Sequence, residues 1–356
     1  MEEIVLKVLF LIVFLYIVIP LCCFIGLRRV SPARREMDKD SSLELRGVGM
    51  LMIVLAHATN GAPGNVAFFW TVTGIVGVAI CFFLSGFGLY KSWKRKDDYL
   101  KNFLPQKITR LLLPYIIVYS LYLISCLLLN EEKTLPRILF ELVTLQMGSS
   151  LLWYIKIQLL LYLFFFVSFY FVQQERGKVI MLALLTITYY IVAKAYDMPD
   201  YWYNTCLFFP LGVFLAYYEK TVFPVLTGRA TQLMSLGALL FTYCVVYFRG
   251  WIIPILVDGA YMMTFIICLI GMASHFTGSK CLKMLGRYSM EVYLIHLFLL
   301  SNRVFGLFDP ENVVSYILLF AFILLLAVPI NQISNRYLMQ SLQRLSVFKR
   351  QRERKH

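Results

Sequence analysis

The sequence predicts an all-α protein, a polytopic transmembrane helix bundle of about 11 spans. Of its 356 residues, 60% are hydrophobic and only 15% are charged, and the mean hydropathy is +0.72. A soluble protein usually carries about 25% charged residues. Apolar runs of about twenty residues recur along the chain, which is the length a helix needs to cross a bilayer. A membrane β-barrel is excluded because its signature is alternating segments of about ten residues.

Each apolar run predicts one span, and the first is expected to be a retained helix. That run lacks a basic region and a small-residue cleavage site, so it does not have the pattern of a cleaved signal peptide. The predicted spans lie at 4–25, 46–61, 67–90, 109–130, 151–172, 179–196, 203–218, 231–248, 252–274, 287–305 and 313–335.

The basic residues predict the orientation of the chain. The loop 26–46, every second loop after it and the tail after 335 are expected on one side of the membrane. That side holds 27 of the 34 Lys and Arg residues. The positive-inside rule makes this side cytoplasmic, with the amino terminus outside and the carboxyl terminus inside. The net charge of +14 therefore indicates membrane topology and no nucleic-acid partner. The basic tail from Lys349 favours contact with anionic membrane lipids.

The stretch from Arg46 to His57 holds the first candidate functional residues. Eleven helical steps give about three turns and about 16 Å, so the two side chains share one helix face. In the predicted span Arg46 lies near a water boundary and His57 near mid-depth. A histidine there is typical of a functional site, or of an imidazole hydrogen-bonded in the bundle core.

The cytoplasmic stretch before the fourth span is rich in lysine. Residues 93–104 predict a short interfacial helix, ended by Pro105, that serves as a surface anchor or faces a polyanionic ligand. Lys107 and Arg110 follow one turn apart. This spacing is typical of an inner-boundary anchor, or of a clamp for phosphate groups.

Two later spans also carry polar residues. Trp153 and Tyr154 predict an aromatic belt at the outer boundary, with Lys156 and Gln158 just beyond it. Lys156 either reaches outward to water or faces a polar cavity. Span ten contains Glu291 and His296, and we expect His296 at a depth similar to that of His57. Two imidazoles and a carboxylate in spanning helices favour a functional site over packing. The eight cysteines lie mostly within apolar runs and show no disulfide or metal spacing.

Five motifs follow one another in a characteristic order. They are Arg-x10-His at 46–57, Phe-Phe-Leu-Ser-Gly-Phe at 82–87, Arg-Leu-Leu-Leu-Pro-Tyr at 110–115, Leu-Trp-Tyr-Ile at 152–155 and Tyr-Ser-Met-Glu-Val-Tyr-Leu-Ile-His at 288–296. With these motifs in this order, the chain resembles members of the acyltransferase-3 family of membrane acyltransferases. The resemblance implies a core of about ten helices at 42–337, after an extra helix and linker at 1–41 and before a basic tail at 338–356.

The resemblance also implies an activity. Family members move an acyl group, usually acetyl, from cytoplasmic acyl-coenzyme A to a glycan or another acceptor. For this chain it implies an O-acetyltransferase-like enzyme in a bacterial plasma (inner) membrane. The expected acceptor is a cell-envelope polysaccharide or its lipid-linked precursor. We expect the stand-alone transmembrane form, without a fused soluble esterase-like domain and without a metal.

Roles for single residues follow from the same resemblance. His57 would be the essential histidine, acting as a general base or as a covalent acyl carrier, with Glu291 or His296 orienting it or relaying its proton. Arg46, Lys107, Arg110 and Ser85 would contact acyl-coenzyme A, and Trp153, Tyr154, Lys156 and Gln158 the acceptor.

Two departures from the family pattern bear on these roles. Lys107 stands where Arg is usual, which weakens the case for bidentate phosphate binding at that position. The family's Asp position holds Leu43, with Glu44 one place away.

A transporter or flippase for a glycan or small metabolite is the alternative class. His57, Glu291 and His296 would then form a proton relay. This alternative does not explain the basic cluster at 91–110, and the sequence shows no convincing internal repeat of the kind that transporters have.

Overall fold

The computed structural model describes residues 2–30, 36–60, 62, 68–147, 150–249, 254–301 and 308–353. Helices make up 81% of the chain, and the described strands form only two short antiparallel pairs. The predicted all-α membrane bundle is therefore confirmed. The first pair joins residues 28–29 to 276–277, and the second joins 146–147 to 150–151.

The elements follow one another in this order. They are α1 (Glu2–Val13), a π-helical turn (Phe14–Val18), α2 (Ile19–Phe24), β1 (Arg28–Arg29), α3 (Lys39–Ala58), α4 (Phe68–Arg95), α5 (Phe103–Leu128), α6 (Leu135–Val143), β2 (Gln146–Met147), β3 (Ser150–Leu151), α7 (Trp153–Phe171), α8 (Glu175–Ala195), a 3-10 turn (Asp200–Trp202), α9 (Phe208–Tyr217), α10 (Glu219–Leu226), α11 (Arg229–Arg249), α12 (Pro254–His275), β4 (Phe276–Thr277), α13 (Lys280–Arg287), α14 (Ser289–Ser301) and α15 (Val313–Glu353).

Within the described part of the chain, eight helical segments are long and apolar enough to cross a membrane. Two predicted spans correspond to shorter apolar helices, Phe208–Tyr217 and Ser289–Leu300. The predicted span 231–248 falls on α11, a helix of 21 residues that is not among the eight. Some residues of the predicted spans, namely 61, 67, 252–253 and 302–305, lie outside the described residues.

Two boundary predictions were wrong. The helix expected at 46–61 begins at Lys39, because Asp38 caps it by accepting a hydrogen bond from the Ser41 N–H at 2.7 Å. The interfacial helix expected at 93–104 does not form. Instead, α4 continues to Arg95, a turn follows, and α5 begins at Phe103. Pro105 lies in the first turn of α5, where its missing N–H would have no helical partner.

The chain divides into two compact units. The first unit contains residues 1–97, 167–289 and 310–313, and the second contains 98–166, 290–309 and 314–356. Arg46 and His57 belong to the first unit, whereas Lys107, Arg110, Glu291 and His296 belong to the second.

Close packing at glycine organises the first unit. Gly47 of α3 lies against the Leu282 carbonyl of α13, and Gly49 of α3 lies against Gly77 of α4. In the same way, Gly86 of α4 lies against the Phe209 carbonyl of α9. An added Cβ at any of these glycines would overlap its neighbour. Small residues let helix backbones approach closely where lipid supplies no hydrophobic drive for association.

The amino-terminal segment belongs to this unit as well. Leu11, Leu15, Ile19 and Cys23, each four residues from the next, are buried and form one helix face. The ring of Tyr16 lies 5.8 Å from that of Trp70 in α4, measured between centroids. The extra helix therefore packs against the first unit through this face.

A buried carboxylate fastens α6 to α5 in the second unit. Glu141 is 0% exposed and accepts hydrogen bonds from Arg137 Nε at 2.7 Å, Lys133 Nζ at 3.0 Å and Tyr119 Oη at 2.9 Å. The Tyr115 hydroxyl donates to the Glu141 carbonyl at 2.9 Å. Because α6 has only nine residues, it cannot span a bilayer, and these bonds hold it against α5.

We predict that a methyl group at Gly86 destabilises the protein and that one at Gly88 does not. Gly86→Ala drives Cβ into the backbone of α9, at a cost of about 1–3 kcal/mol. Gly88, two residues along the same helix, has nothing within 4 Å of an added Cβ. The measurement is the melting temperature of both purified variants in detergent. Equal melting temperatures would show that α4 and α9 are not closely packed.

We also predict that the contribution of Glu141 to stability is lost in acid. Burial raises the pKa of Glu141, but hydrogen bonds from Arg137, Lys133 and Tyr119 together outweigh burial and bring the pKa below its ordinary 4.5. The stabilisation is therefore complete above that value and disappears as the pH falls through the lower, folded-state pKa. Glu141→Gln should lower the melting temperature at pH 7, and its difference from wild type should shrink below about pH 4. A difference that does not change with pH would contradict the ionised state.

Candidate active site

Helix α3 carries Arg46 and His57 in the first unit. Because the helix begins at Lys39, Arg46 lies seven residues, or about 10 Å, from its start. His57 lies in the last turn of the helix. Its expected depth in the membrane stays a prediction. The Thr59 hydroxyl bonds to the Leu55 carbonyl at 2.7 Å, and the Asn60 N–H bonds to the His57 carbonyl at 3.3 Å. These bonds fix the helix end that presents His57.

The His57 side chain is accessible at the surface of the first unit, although the surrounding protein partly desolvates its ring. A reactive histidine needs this combination, because substrate must reach the ring nitrogen while bulk water is limited. The accessible ring is compatible with a functional histidine, and that role stays a prediction.

Arg46 of α3 lies close to α4. Its side chain is half-buried, and its charge acts on the buried Cys81 thiol of α4. Ser85 is half-buried and lies one turn further along α4, on the face of Cys81. Arg46 and Ser85 are therefore both associated with the Cys81 face of α4.

Glu44 has a structural position that the sequence did not reveal. Its carboxylate is buried and accepts hydrogen bonds from the Gly278 N–H at 2.7 Å and from Thr277 Oγ1 at 3.0 Å. Lys283 Nζ lies 3.6 Å from the same carboxylate. Glu44, two residues before Arg46, ties the start of α3 to the segment that leads into α13.

In the second unit, Lys107 and Arg110 have different surroundings. Lys107 Nζ lies 5.7 Å from the ring centroids of Phe103 and Tyr162, in cation–π contact with both. Arg110 is exposed, and its charge stabilises the Glu291 carboxylate of α14. The guanidinium of Arg110 is therefore the more accessible cation of the pair.

Glu291 is buried and accepts a hydrogen bond from Asn331 Nδ2 of α15 at 2.9 Å. Asn335 Nδ2 donates in turn to Asn331 Oδ1 at 2.8 Å. Within this unit Glu291 is thus linked to Asn331 and, through charge, to Arg110. Its expected role in orienting His57 stays a prediction. Asn331 was missed from the sequence, although an amide in an otherwise apolar run is a usable signal.

His296 is fully buried in α14. Its Nδ1 lies 3.0 Å from the Val292 carbonyl, one turn earlier in the helix. When Nδ1 carries the proton and donates it to this carbonyl, Nε2 is left as an acceptor. The ring of Tyr293 is 5.7 Å from that of His296 and 5.2 Å from that of Tyr154. The aromatic group between α7 and α14 fixes the position of the imidazole.

The residues predicted to bind acceptor lie at the start of α7. Trp153 and Tyr154 are half-buried, with their ring centroids 6.4 Å apart. Gln158 is 2% exposed and its Oε1 accepts a hydrogen bond from the Tyr154 hydroxyl at 3.3 Å. Lys156 is half-buried. These positions are compatible with a polar pocket, and acceptor binding by these residues stays a prediction.

Carboxylates of the protein hold several lysines of the 91–101 stretch. Lys91 pairs with Glu219, Lys94 with Glu175 at 2.7 Å, and Lys101 with Asp98 at 3.2 Å. The stretch therefore presents less uncompensated charge to a polyanionic ligand than the sequence suggested. Among the described residues, no group of three His, Cys, Asp or Glu side chains is arranged to hold a metal ion.

The fold and these side chains define a helical membrane protein with ionisable groups in its apolar helices. The acyltransferase-3 family model, described as an acyltransferase domain, matches residues 41–332. The chain therefore belongs to the acyltransferase-3 family and is a membrane acyltransferase. No curated protein and no solved structure gives a significant match.

Proposed function

We propose that this membrane acyltransferase moves an acetyl group from cytoplasmic acetyl-coenzyme A to a hydroxyl of a cell-envelope polysaccharide or its lipid-linked precursor. The observation that carries the proposal is the arrangement on α3, where one helix presents a half-buried Arg46 and an accessible His57 in its last turn. Family membership supplies acyl transfer as the reaction class. The comparison offers no support for the transporter alternative.

The proposed chemistry needs a base at the acceptor hydroxyl. A hydroxyl is a weak nucleophile at neutral pH, and a neutral imidazole within hydrogen-bond reach takes its proton as the oxygen attacks. The new ester C–O bond forms, the thioester C–S bond breaks, and the coenzyme A sulfur receives a proton. In the covalent route His57 itself carries the acyl group before the hydroxyl attacks. Both routes need a ring nitrogen of His57.

The proposed donor contacts are cations and one hydroxyl. Arg46 lies on α3 and Ser85 on α4, while Arg110 and Lys107 lie on α5. Arg110 suits the phosphates of coenzyme A best, because it is exposed and a guanidinium can bind a phosphate through two parallel hydrogen bonds. Lys107 offers only a point charge and already contacts two aromatic rings.

We predict that His57→Gln abolishes transfer without unfolding the protein. Glutamine retains hydrogen bonding but cannot accept and release a proton, so turnover of acetyl-coenzyme A should fall by at least about 10²-fold. His275→Gln is the matched control, since His275 is an exposed histidine at the end of α12. Turnover and melting temperature are measured together on purified protein in detergent. Normal turnover by His57→Gln would refute the mechanism.

We propose that the carboxyl terminus lies in the cytoplasm. Access of acetyl-coenzyme A from the cytoplasmic side tests this orientation. Inside-out membrane vesicles should use added acetyl-coenzyme A, and right-side-out vesicles should not. In inside-out vesicles Arg110→Gln should raise KM for the donor by about tenfold, the effect of losing about 1.4 kcal/mol of binding. Lys96→Gln, which removes an exposed lysine of the turn before α5, should leave KM unchanged. Equal use of donor by both vesicle types would overturn the orientation.

A further inference from the structure

Two cysteines that are far apart in sequence meet in the first unit. Strand β1 pairs antiparallel with β4, with Arg28 opposite Thr277. Beyond this pair the backbones stay close: a Cβ on Gly26 would lie 3.1 Å from the Gly278 carbonyl oxygen. Cys23 lies three residues before Gly26, and Cys281 lies three residues after Gly278. The strand pairing therefore brings the end of α2 to the start of α13.

The two thiols interact directly. The side chains of Cys23 and Cys281 are hydrogen-bonded to each other, and both are in the reduced form. Cys23 is 8% exposed, whereas Cys281 is half-buried. An external reagent therefore reaches Cys281 first.

Cys281 is also the more reactive of the two. The hydrogen bond from Cys23 lowers the pKa of the Cys281 thiol, although burial opposes this shift. The lowered pKa increases the thiolate fraction of Cys281, and the thiolate is the form that attacks disulfides.

We propose that Cys23 and Cys281 form a reversible disulfide, a redox-modification site that links α2 to α13. The Cys281 thiolate attacks a small disulfide such as oxidised glutathione, forming a mixed disulfide and releasing one glutathione thiolate. Cys23 then loses its proton and attacks the Cys281 sulfur, which releases the second glutathione. Two electrons pass from the cysteine pair to the oxidant, and excess thiol reverses the reaction.

The link would act beside the candidate active site. Helix α13 packs on α3 at Gly47, the residue after Arg46, and at Leu43, whose carbonyl lies against Gly286. A disulfide at the start of α13 holds this helix and the amino-terminal segment together as one body. It therefore stabilises the packing that positions Arg46. The proposal does not depend on the identity of the acyl acceptor.

The test uses the purified full-length chain in detergent with oxidised glutathione as the probe. After denaturation, labelling with a maleimide-linked polymer should count six free thiols instead of eight, and mass spectrometry should find the Cys23–Cys281 peptide. The melting temperature should rise by several degrees, since a cross-link restricts the unfolded chain. Dithiothreitol should restore both values.

Three variants make the test specific. Cys23→Ser removes the second nucleophile, so a stable glutathione adduct should remain on Cys281. Cys281→Ser should retain all seven of its thiols. Cys22→Ser, which removes the exposed neighbour of Cys23, should still lose two thiols. Eight free thiols in oxidised wild type, a cross-link between Cys22 and Cys23, or a glutathione adduct retained on wild-type Cys281 would overturn the proposal.

Discussion

Close backbone approach at glycine is the constraint on which the first unit depends. Helix α3 is packed on one side against α4 at Gly49 and Gly77, and on another against α13 at Gly47 and Gly286. A lipid environment gives little reward for burying apolar side chains, so helices associate through close van der Waals contact. Side chains next to these glycines have little freedom to move. Arg46 is such a side chain, and its position follows from the packing of the helix that carries it.

Paired charges complement this packing at the ends of the helices. Glu44 receives backbone and side-chain donors from the segment before α13, Glu219 receives Lys91 and Glu141 receives Lys133. Leaving a buried carboxylate without partners is strongly unfavourable, so each of these contacts holds two elements together. Several lysines of the 91–101 stretch, which look available in the sequence, have such partners. Arg110 differs, because its guanidinium is exposed and its charge acts on a buried Glu291 that Asn331 already hydrogen-bonds.

The candidate site was predicted from the sequence in its residue types but only partly in its geometry. The Arg46–His57 spacing placed both residues on one helix, and the structure agrees. The start of that helix differed from expectation, because hydropathy locates the apolar stretch and not the capped helix end. The surroundings of Lys107, Glu291 and His296 also needed the fold. Their neighbours Tyr162, Asn331 and Tyr154 come from helices distant in sequence.

Three features could be predicted from the amino-acid sequence: the all-α membrane class, the approximate helix segments and the acyltransferase-3 family. They were predictable because apolar run length and motif order are local properties of the chain. Only the tertiary structure showed that Asp38 starts α3, that lysines of the 91–101 stretch are held by the protein's own carboxylates, and that Cys23 meets Cys281. The cysteines looked like isolated small hydrophobic residues because 257 residues separate them in the chain. Their meeting depends on the pairing of β1 with β4, a long-range contact that no local pattern encodes.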